Sequence, residues 1–339
     1  MEPLLLIPIF LSFIFTLLFL PKWIAKCRKN ELLWEDMNKI GHTKNVAASG
    51  GVIVVLSFII GVLFYIAIRT FIFSVKINGI NLYIFALLNV VLILAVIGLT
   101  DDLLGWKHGG LSAKFRLFLA LLSAVPLVVI NAGTSNVVLP FVGTMELGIV
   151  YPLIIIPLGI AGVATTYNFL AGFNGLEAGQ GIIILSFLSL ISYITGNPWL
   201  SVIGACMVAS LIVFYFYNSY PAKVFPGDIL TYSIGALIAG MAILGNFERI
   251  ALFVFIPYFI EIVLKIRGKL KKQSFGIPKE DGSLELPYTK MYGLTHVSIF
   301  ILKKLKKNVY EKDVVYFIFS FQIIICLLAL IIFKEALFT

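Results

Sequence analysis

Apolar residues run along this chain in long blocks separated by short polar stretches. An α-helix rises 1.5 Å per residue, so about 20 consecutive apolar residues cross a bilayer core of about 30 Å. Ten runs approach that length: 3–21, 46–68, 79–99, 115–131, 148–168, 178–195, 199–217, 228–245, 249–266 and 314–334. They predict an all-α polytopic membrane protein with about ten transmembrane helices, folded as a single domain over residues 1–339. The first run has no Lys or Arg before it and no small-residue cleavage site after it. It therefore reads as a span and not as a cleaved signal.

Two further segments have their own pattern. Asn136–Phe141 and Met145–Val150 are short apolar runs punctuated by Pro140 and Gly143, which predicts a small external β-hairpin. In Leu294–Val309, Lys303, Lys304, Lys306 and Lys307 interrupt apolar positions, which predicts an interfacial helix on the cytoplasmic face.

Composition agrees with the pattern. Hydrophobic residues make up 60% of the chain and charged residues 13%. A soluble domain carries about 25% charged residues, so a water-facing surface cannot be covered at this density. The net charge of +9 would point to nucleic acid in a soluble protein, and here its distribution argues otherwise. Alternating the loops places 22 of the 26 Lys+Arg on the side of 22–45, 100–116, Lys223 and 265–313. Only Arg69, Lys76, Arg249 and Lys334 fall on the other side. The basic side is then cytoplasmic and both termini lie outside. Some of that charge can also attract anionic head groups or an anionic substrate. Cys27, Cys206 and Cys326 are scattered and form no disulfide framework.

Polar groups cost most at membrane depth, so those at span ends are candidates for function. Asp101 and Asp102 follow the third run, with Lys107 and Lys114 nearby; they suit a solvated helix end, a cation site or a base. Asn168 and Asn174 flank a glycine-rich stretch with Ala171, Gly172 and Gly175, either as helix caps or where backbone approaches a ligand closely. Asp228 opens the eighth run as an N-cap or a metal ligand, beside Phe225, whose ring can stack a base. Lys269, Lys271, Lys272 and Lys279 either mark topology or grip phosphate. All four clusters fall on the basic side. Glu261, in mid-span, is expected to be paired within the bundle. His42, His108 and His296 sit in separate loops without HExxH spacing, and no P-loop motif occurs, which disfavours zinc hydrolysis and ATPase chemistry. Carboxylate and amide oxygens suit Mg²⁺ shared with substrate phosphates. Lysines suit a diphosphate, and an aromatic ring a nucleobase. The combination points to phosphoryl-type transfer between a nucleotide-activated group and a lipid; a secondary transporter would instead place its charges deep within spans.

Three ordered motifs carry a resemblance across nearly the whole chain: GLTDDLLGW (98–106) followed by a lysine, NFLAGFNGLEAGQ (168–180) and YPAKVFPGD (220–228), with EDMNK (35–39) as a weaker fourth. With these, the sequence resembles the polyprenyl-phosphate N-acetylhexosamine-1-phosphate transferases (glycosyltransferase 4), nearest to the dolichyl-phosphate branch. The resemblance implies transfer of N-acetylglucosamine-1-phosphate from UDP-GlcNAc to a polyprenyl (dolichyl) phosphate, releasing UMP, at the cytoplasmic face of the cell membrane. It implies that Asn168 and Asp228 hold Mg²⁺, with Mn²⁺ as an alternative. Lys114 would contact phosphate. Gly172, Asn174 and Phe225 would form the uridine pocket, with Asp36 and Met37 on the nucleoside side. Asp101 and Asp102 would be the catalytic acidic pair, as base or as nucleophile, with direct attack by the lipid phosphate favoured. Partners would be the two substrates and membrane lipid, with no nucleic acid; a homodimer stays open. Two departures stand out. Ala48 replaces a glutamate of the eukaryotic members, and Ser274-Phe275-Gly276 replaces an arginine–histidine–arginine run, leaving Lys271, Lys272 or Lys279 to supply charge. An excess of 21 Lys over 5 Arg fits an AT-rich genome, and together with the dolichyl-branch motifs the resemblance implies an archaeal source.

Overall fold

The computed structural model describes residues 3–42, 44–74, 79–139 and 143–338. Lys76, Pro140 and Phe141 lie outside that set, as do the side chains of Lys107 and His108. In chain order the elements are α1 (Ile7–Lys29), β1 (Leu33–Glu35), β2 (Lys44–Ala47), α2 (Gly51–Ala67), α3 (Gly79–His108), α4 (Ala113–Leu122), α5 (Val125–Val129), β3 (Asn136–Leu139), β4 (Gly143–Glu146), α6 (Ile156–Tyr167), α7 (Leu176–Ile194), α8 (Pro198–Asn218), α9 (Gly227–Gly245), α10 (Glu248–Val254), α11 (Ile256–Arg267), β5 (Ile277–Pro278), β6 (Leu284–Glu285), α12 (Leu294–Leu305), α13 (Glu311–Ile332) and α14 (Lys334–Phe338). Among the described residues seven helices are long and apolar enough to cross a membrane: Leu4–Lys29, Gly51–Ile72, Gly79–Gly105, Leu176–Ile194, Pro198–Asn218, Gly227–Gly245 and Glu311–Ile332. The chain is a multi-pass membrane protein.

Of the other three predicted runs, two are interrupted beside a proline, and the third forms one shorter helix, Tyr151–Tyr167. Pro126 has no N–H for the carbonyl of Leu122, and the 115–131 run breaks between α4 and α5. Pro257 does the same after α10. The 148–168 run opens with a wide π-helical turn, Tyr151–Ile155, which carries Pro152 and meets Pro157.

Helix α9 is the axis of the bundle: every residue from Ile229 to Gly245 is buried. It packs on α3 and α6. At Gly98 the α3 backbone lies tight against α9: a Cβ there would lie 2.5 Å from the Asp228 carbonyl oxygen. That contact brings the polar end of α3 against the first turn of α9. Helix α3 also extends past the predicted end of its run, so Asp101 and Asp102 sit on helix and not in a loop. Adjacent helical residues point about 100° apart. The two carboxylates therefore diverge toward different partners.

The loops at this end are stitched together. Strands β1 and β2 pair antiparallel. Beyond them Ala47 N donates to the Lys223 carbonyl (3.2 Å), and Phe225 N donates to the Ala47 carbonyl (2.8 Å). The predicted hairpin forms from β3 and β4, but its second strand is Gly143–Glu146 and not Met145–Val150, because Gly148 (φ 49°) turns the chain into the next helix. Helix α12 is shorter than predicted. Its first turns are buried (Leu294, Thr295, His296, Ser298 and Ile299), and only its later turns carry exposed lysine. Glu261 anchors it, accepting from Leu294 N (2.5 Å) and lying 3.7 Å from Lys265, paired as the sequence predicts.

Candidate active site

A cavity of about 640 Å³ opens where the β1–β2 loop, the ends of α3 and α6, the start of α9 and the 273–275 segment meet. Of the residues singled out from the sequence, Asp36, Met37, Asp101, Asp102, Asn168, Gly172, Phe225 and Asp228 line it. Sites more than a hundred residues apart in the chain thus converge on one space.

Its charged centre is built from α3, α4 and α9. Arg116, on α4, donates from Nη1 to Asp101 (2.5 Å) and lies 3.5 Å from Asp228 Oδ2. Asp101 also accepts from Leu111 N. Asp102 turns the other way. It accepts from Asp228 N (2.8 Å), Ile229 N (3.4 Å) and the Ser49 hydroxyl (3.0 Å). A carboxylate on the free N–H groups of a helix start caps it and complements its dipole. Asp102 thus fixes the turn that presents Asp228. Three clustered carboxylates against one guanidinium favour a further cation.

Asn168 ends α6. Its Oδ1 accepts from Thr231 Oγ1 (3.0 Å), and the same hydroxyl donates to the Asp228 carbonyl (3.2 Å). Asn168 and Asp228 are thereby tied to one residue on one cavity wall. Hard oxygen donors of this kind fit Mg²⁺, which takes few protein carboxylates and completes its shell with water and phosphate. Among the described residues there is no preformed group of three or more His, Cys, Asp or Glu ligands. The donor set fits an ion that arrives with a phosphate-bearing substrate better than a closed structural site.

Four of the predicted residues stand off the cavity. Asn174 is a buried tie: its Nδ2 donates to Asp36 (2.9 Å) and its N donates to Glu311 (2.6 Å). Lys39 Nζ closes the knot on Glu311 (2.7 Å) and Asp36 (3.2 Å). Asn38 joins the Gly172 carbonyl (2.8 Å) to Gly276 N (3.1 Å). This network pins the floor loop 36–39, the 172–174 turn and the 274–276 roof to the start of α13. Replacing Glu311 with alanine is expected to cost about 2–3 kcal/mol, less than the 3–5 kcal/mol of a fully buried pair because Lys39 is 26% exposed. A fall in the thermal unfolding midpoint in detergent checks this, and an unchanged midpoint rejects the knot.

Lys114 is exposed on the first turn of α4. Lys272 lines an adjoining cavity of about 290 Å³ and lies over the Tyr288 ring at 4.8 Å. Lys279 pairs with Glu285, whose carboxyl Lys279 and Lys303 together hold below its ordinary range. Phe275 separates the two cavities and packs against Gly172: a Cβ at Gly172 would lie 2.6 Å from its ring, and Gly172 has φ +105°. Only glycine fits that crossing.

Sequence reasoning missed Arg116, Ser49, Thr231, Glu177 and Glu311. Arg116 entered only as loop charge, although one of five arginines among 21 lysines is itself a signal for forked recognition of carboxylate or phosphate. Glu177, in the first turn of α7, accepts from Gly172 N (2.9 Å) and braces the glycine turn.

Comparison with known proteins bears on this geometry. The profile of glycosyl transferase family 4 matches residues 84–246. A Saccharolobus solfataricus protein named provisionally as UDP-N-acetylglucosamine–dolichyl-phosphate N-acetylglucosaminephosphotransferase is 33% identical over 297 residues, 86% of this chain and 87% of its own. A Sulfolobus acidocaldarius protein with the same provisional name is 32% identical over 330 residues, 96% and 95% of the two chains. The phospho-N-acetylmuramoyl-pentapeptide-transferase of Nitratiruptor sp. is 29% identical over 300 residues, 79% and 81% of the two.

Proposed function

The chain belongs to glycosyl transferase family 4, and from that premise we propose that it transfers N-acetylglucosamine-1-phosphate from UDP-GlcNAc to a polyprenyl phosphate of the dolichyl type. UMP is released, and the product is a GlcNAc-diphospho-lipid that starts a lipid-linked glycan. The observation that carries this reading is the convergence of Asp101, Asp102, Arg116, Asn168, Phe225 and Asp228 on one cavity at one end of a membrane bundle. The excess of basic loop residues on that side supports a cytoplasmic position for the cavity, where a nucleotide sugar is available.

In this reading an oxygen of the lipid phosphate attacks the β-phosphorus of the donor. The bond from that phosphorus to the bridging oxygen of UMP breaks, and UMP carries away the electron pair. A phosphate monoester is already largely ionised at pH 7, so the protein's task is positioning and charge neutralisation. Asn168 and Asp228 would hold Mg²⁺, which when bound neutralises the diphosphate. Arg116 holds Asp101 in place and adds fixed positive charge at the carboxylate cluster. Asp101 and Asp102 act as positioning residues: their oxygens accept from Leu111, Arg116, Ser49 and the first N–H groups of α9. That commitment supports direct attack over a covalent aspartyl intermediate. Phe225 stacks the uracil. Its backbone is held at both ends, with its N–H on Ala47 and its carbonyl accepting from Gly50 N (2.9 Å), so the ring is pre-positioned.

Phe225→Ala is expected to raise the KM for the UDP-sugar by about tenfold or more with little change in kcat, since stacking on a base contributes about 1–3 kcal/mol. An unchanged KM rejects that role. The sugar is tested by UMP exchange against a panel of UDP-sugars. Phe275, in the Ser274-Phe275-Gly276 segment that by resemblance replaces the arginine–histidine–arginine run of the eukaryotic members, bears on that choice. Turnover of UDP-GalNAc equal to that of UDP-GlcNAc rejects GlcNAc selectivity.

A further inference from the structure

A second cavity, of about 670 Å³, lies at the opposite end of the bundle. It is lined by residues after the end of α2 (Arg69), at the start of α3 (Ile80, Tyr83), at the α7–α8 turn (Asn197, Trp199) and after α9 (Asn246). The first cavity is lined from the other ends of α3 and α9. Along α9, from Asp228 to Asn246, the helical rise separates the two by about 27 Å, close to the thickness of a bilayer core.

Among the described residues Arg69 is the cation lining this cavity, and none of them in the lining is a carboxylate. An arginine at the end of a span ordinarily extends its head into water. Here Nη1 is buried and has no hydrogen-bond partner among the described residues. The rest of the guanidinium keeps company with Tyr65, lying 5.7 Å from its ring and within reach of its hydroxyl. A buried donor left unpaired costs free energy, more so when it is charged. The remaining lining supplies amides and a hydroxyl (Asn197, Asn246, Thr134) and the stacked Tyr83 and Trp199 rings, 6.4 Å apart, above an apolar base of Leu5, Val202 and Leu244. The arrangement is a single cationic fork over an apolar pocket with hydrogen-bonding sides, at membrane-boundary depth.

We propose that this cavity is a binding site for a phosphate-class anion at the face opposite the candidate active site, with Arg69 as the residue that recognises it. The apolar base fits the phosphate of an anionic lipid head group, and a free phosphate offers the same chemistry to Arg69. The site is independent of the transferase reading.

Native mass spectrometry of the detergent-purified full chain tests it. Wild type, R69Q and R249Q are each titrated with phosphatidylglycerol, phosphatidylcholine and inorganic phosphate. Arg249, exposed just beyond α9, controls for general surface charge. Phosphatidylglycerol is expected to bind wild type and R249Q at least about tenfold more tightly than R69Q, with phosphatidylcholine binding weakly to all three. Binding of inorganic phosphate alone, lost in R69Q, upholds the anion site and assigns it to a soluble ion. Equal binding of every probe to wild type and R69Q overturns the proposal, as does equal loss in R69Q and R249Q. R69Q should keep the wild-type unfolding midpoint in detergent, which serves as the folding check. Should it not, R69K takes its place: binding at least about threefold weaker than wild type supports a forked guanidinium contact, and unchanged binding overturns it.

Discussion

Asp228→Ala is expected to lower kcat by about 10³-fold or more without lowering thermal stability. The carboxylate lines the cavity, lies 3.5 Å from the Arg116 guanidinium and shares a wall with Asn168 through Thr231. It is one of three acids crowded against a single arginine, and crowded like charges raise the free energy of the folded state. Its removal relieves that repulsion. The start of α9 keeps its cap, because Asp102 accepts from backbone N–H groups that the substitution leaves in place. Activity and stability should therefore part company. Added Mg²⁺ should not restore turnover, since the missing group is the proposed ligand. Activity within a factor of two of wild type refutes the metal assignment. A large fall in the unfolding midpoint would instead assign Asp228 a structural role.

Arg116→Ala is expected to damage both properties. The guanidinium is the positive charge between Asp101 and Asp228, and its side chain is 31% exposed. Removing one partner of a buried pair costs about 3–5 kcal/mol; partial solvation brings the expected loss here to about 2 kcal/mol. Turnover should fall by about 10²-fold, because Asp101 and the first turn of α9 lose their common anchor. Arg116→Lys should recover part of the stability and little of the activity, since an ammonium restores charge but not the fork. Lys114→Ala, two residues earlier and exposed, should leave turnover within about threefold, as expected of a surface charge. The comparison separates the two basic residues of α4 by kcat and by unfolding midpoint. Equal effects at positions 114 and 116 would reject the central role of Arg116.

Much of this was legible in the chain because a bilayer imposes one length and one polarity on its spans. The long runs that became α2, α3, α7, α8, α9 and α13 could hardly be anything else. Where the structure departs from hydropathy, local chemistry overrides it: Pro126 and Pro257 interrupt helices whose apolar content is unbroken. The candidate site was legible in part. Asp101, Asn168 and Asp228 are polar where polarity is expensive, and all three line one cavity. Their partners were not legible, because hydropathy carries no information about which loop meets which. Arg116 and Glu311 look like ordinary juxtamembrane charge until α4 and α13 are placed. Asn174 is a different case. The resemblance implies a place in the uridine pocket, and the side chain lies buried in a tie between Asp36 and Glu311. A capping asparagine and a ligand-binding asparagine have the same spacing.

The central claim is a phosphoryl transfer, and its products distinguish it from every other fate of a UDP-sugar. Purified protein is incubated with UDP-GlcNAc, a polyprenyl phosphate and Mg²⁺, and the lipid and nucleotide products are identified by mass spectrometry. The account predicts a lipid diphosphate bearing one N-acetylhexosamine, with UMP released in equal amount. Release of UDP together with a lipid monophosphate sugar, or no lipid product at all, would contradict it.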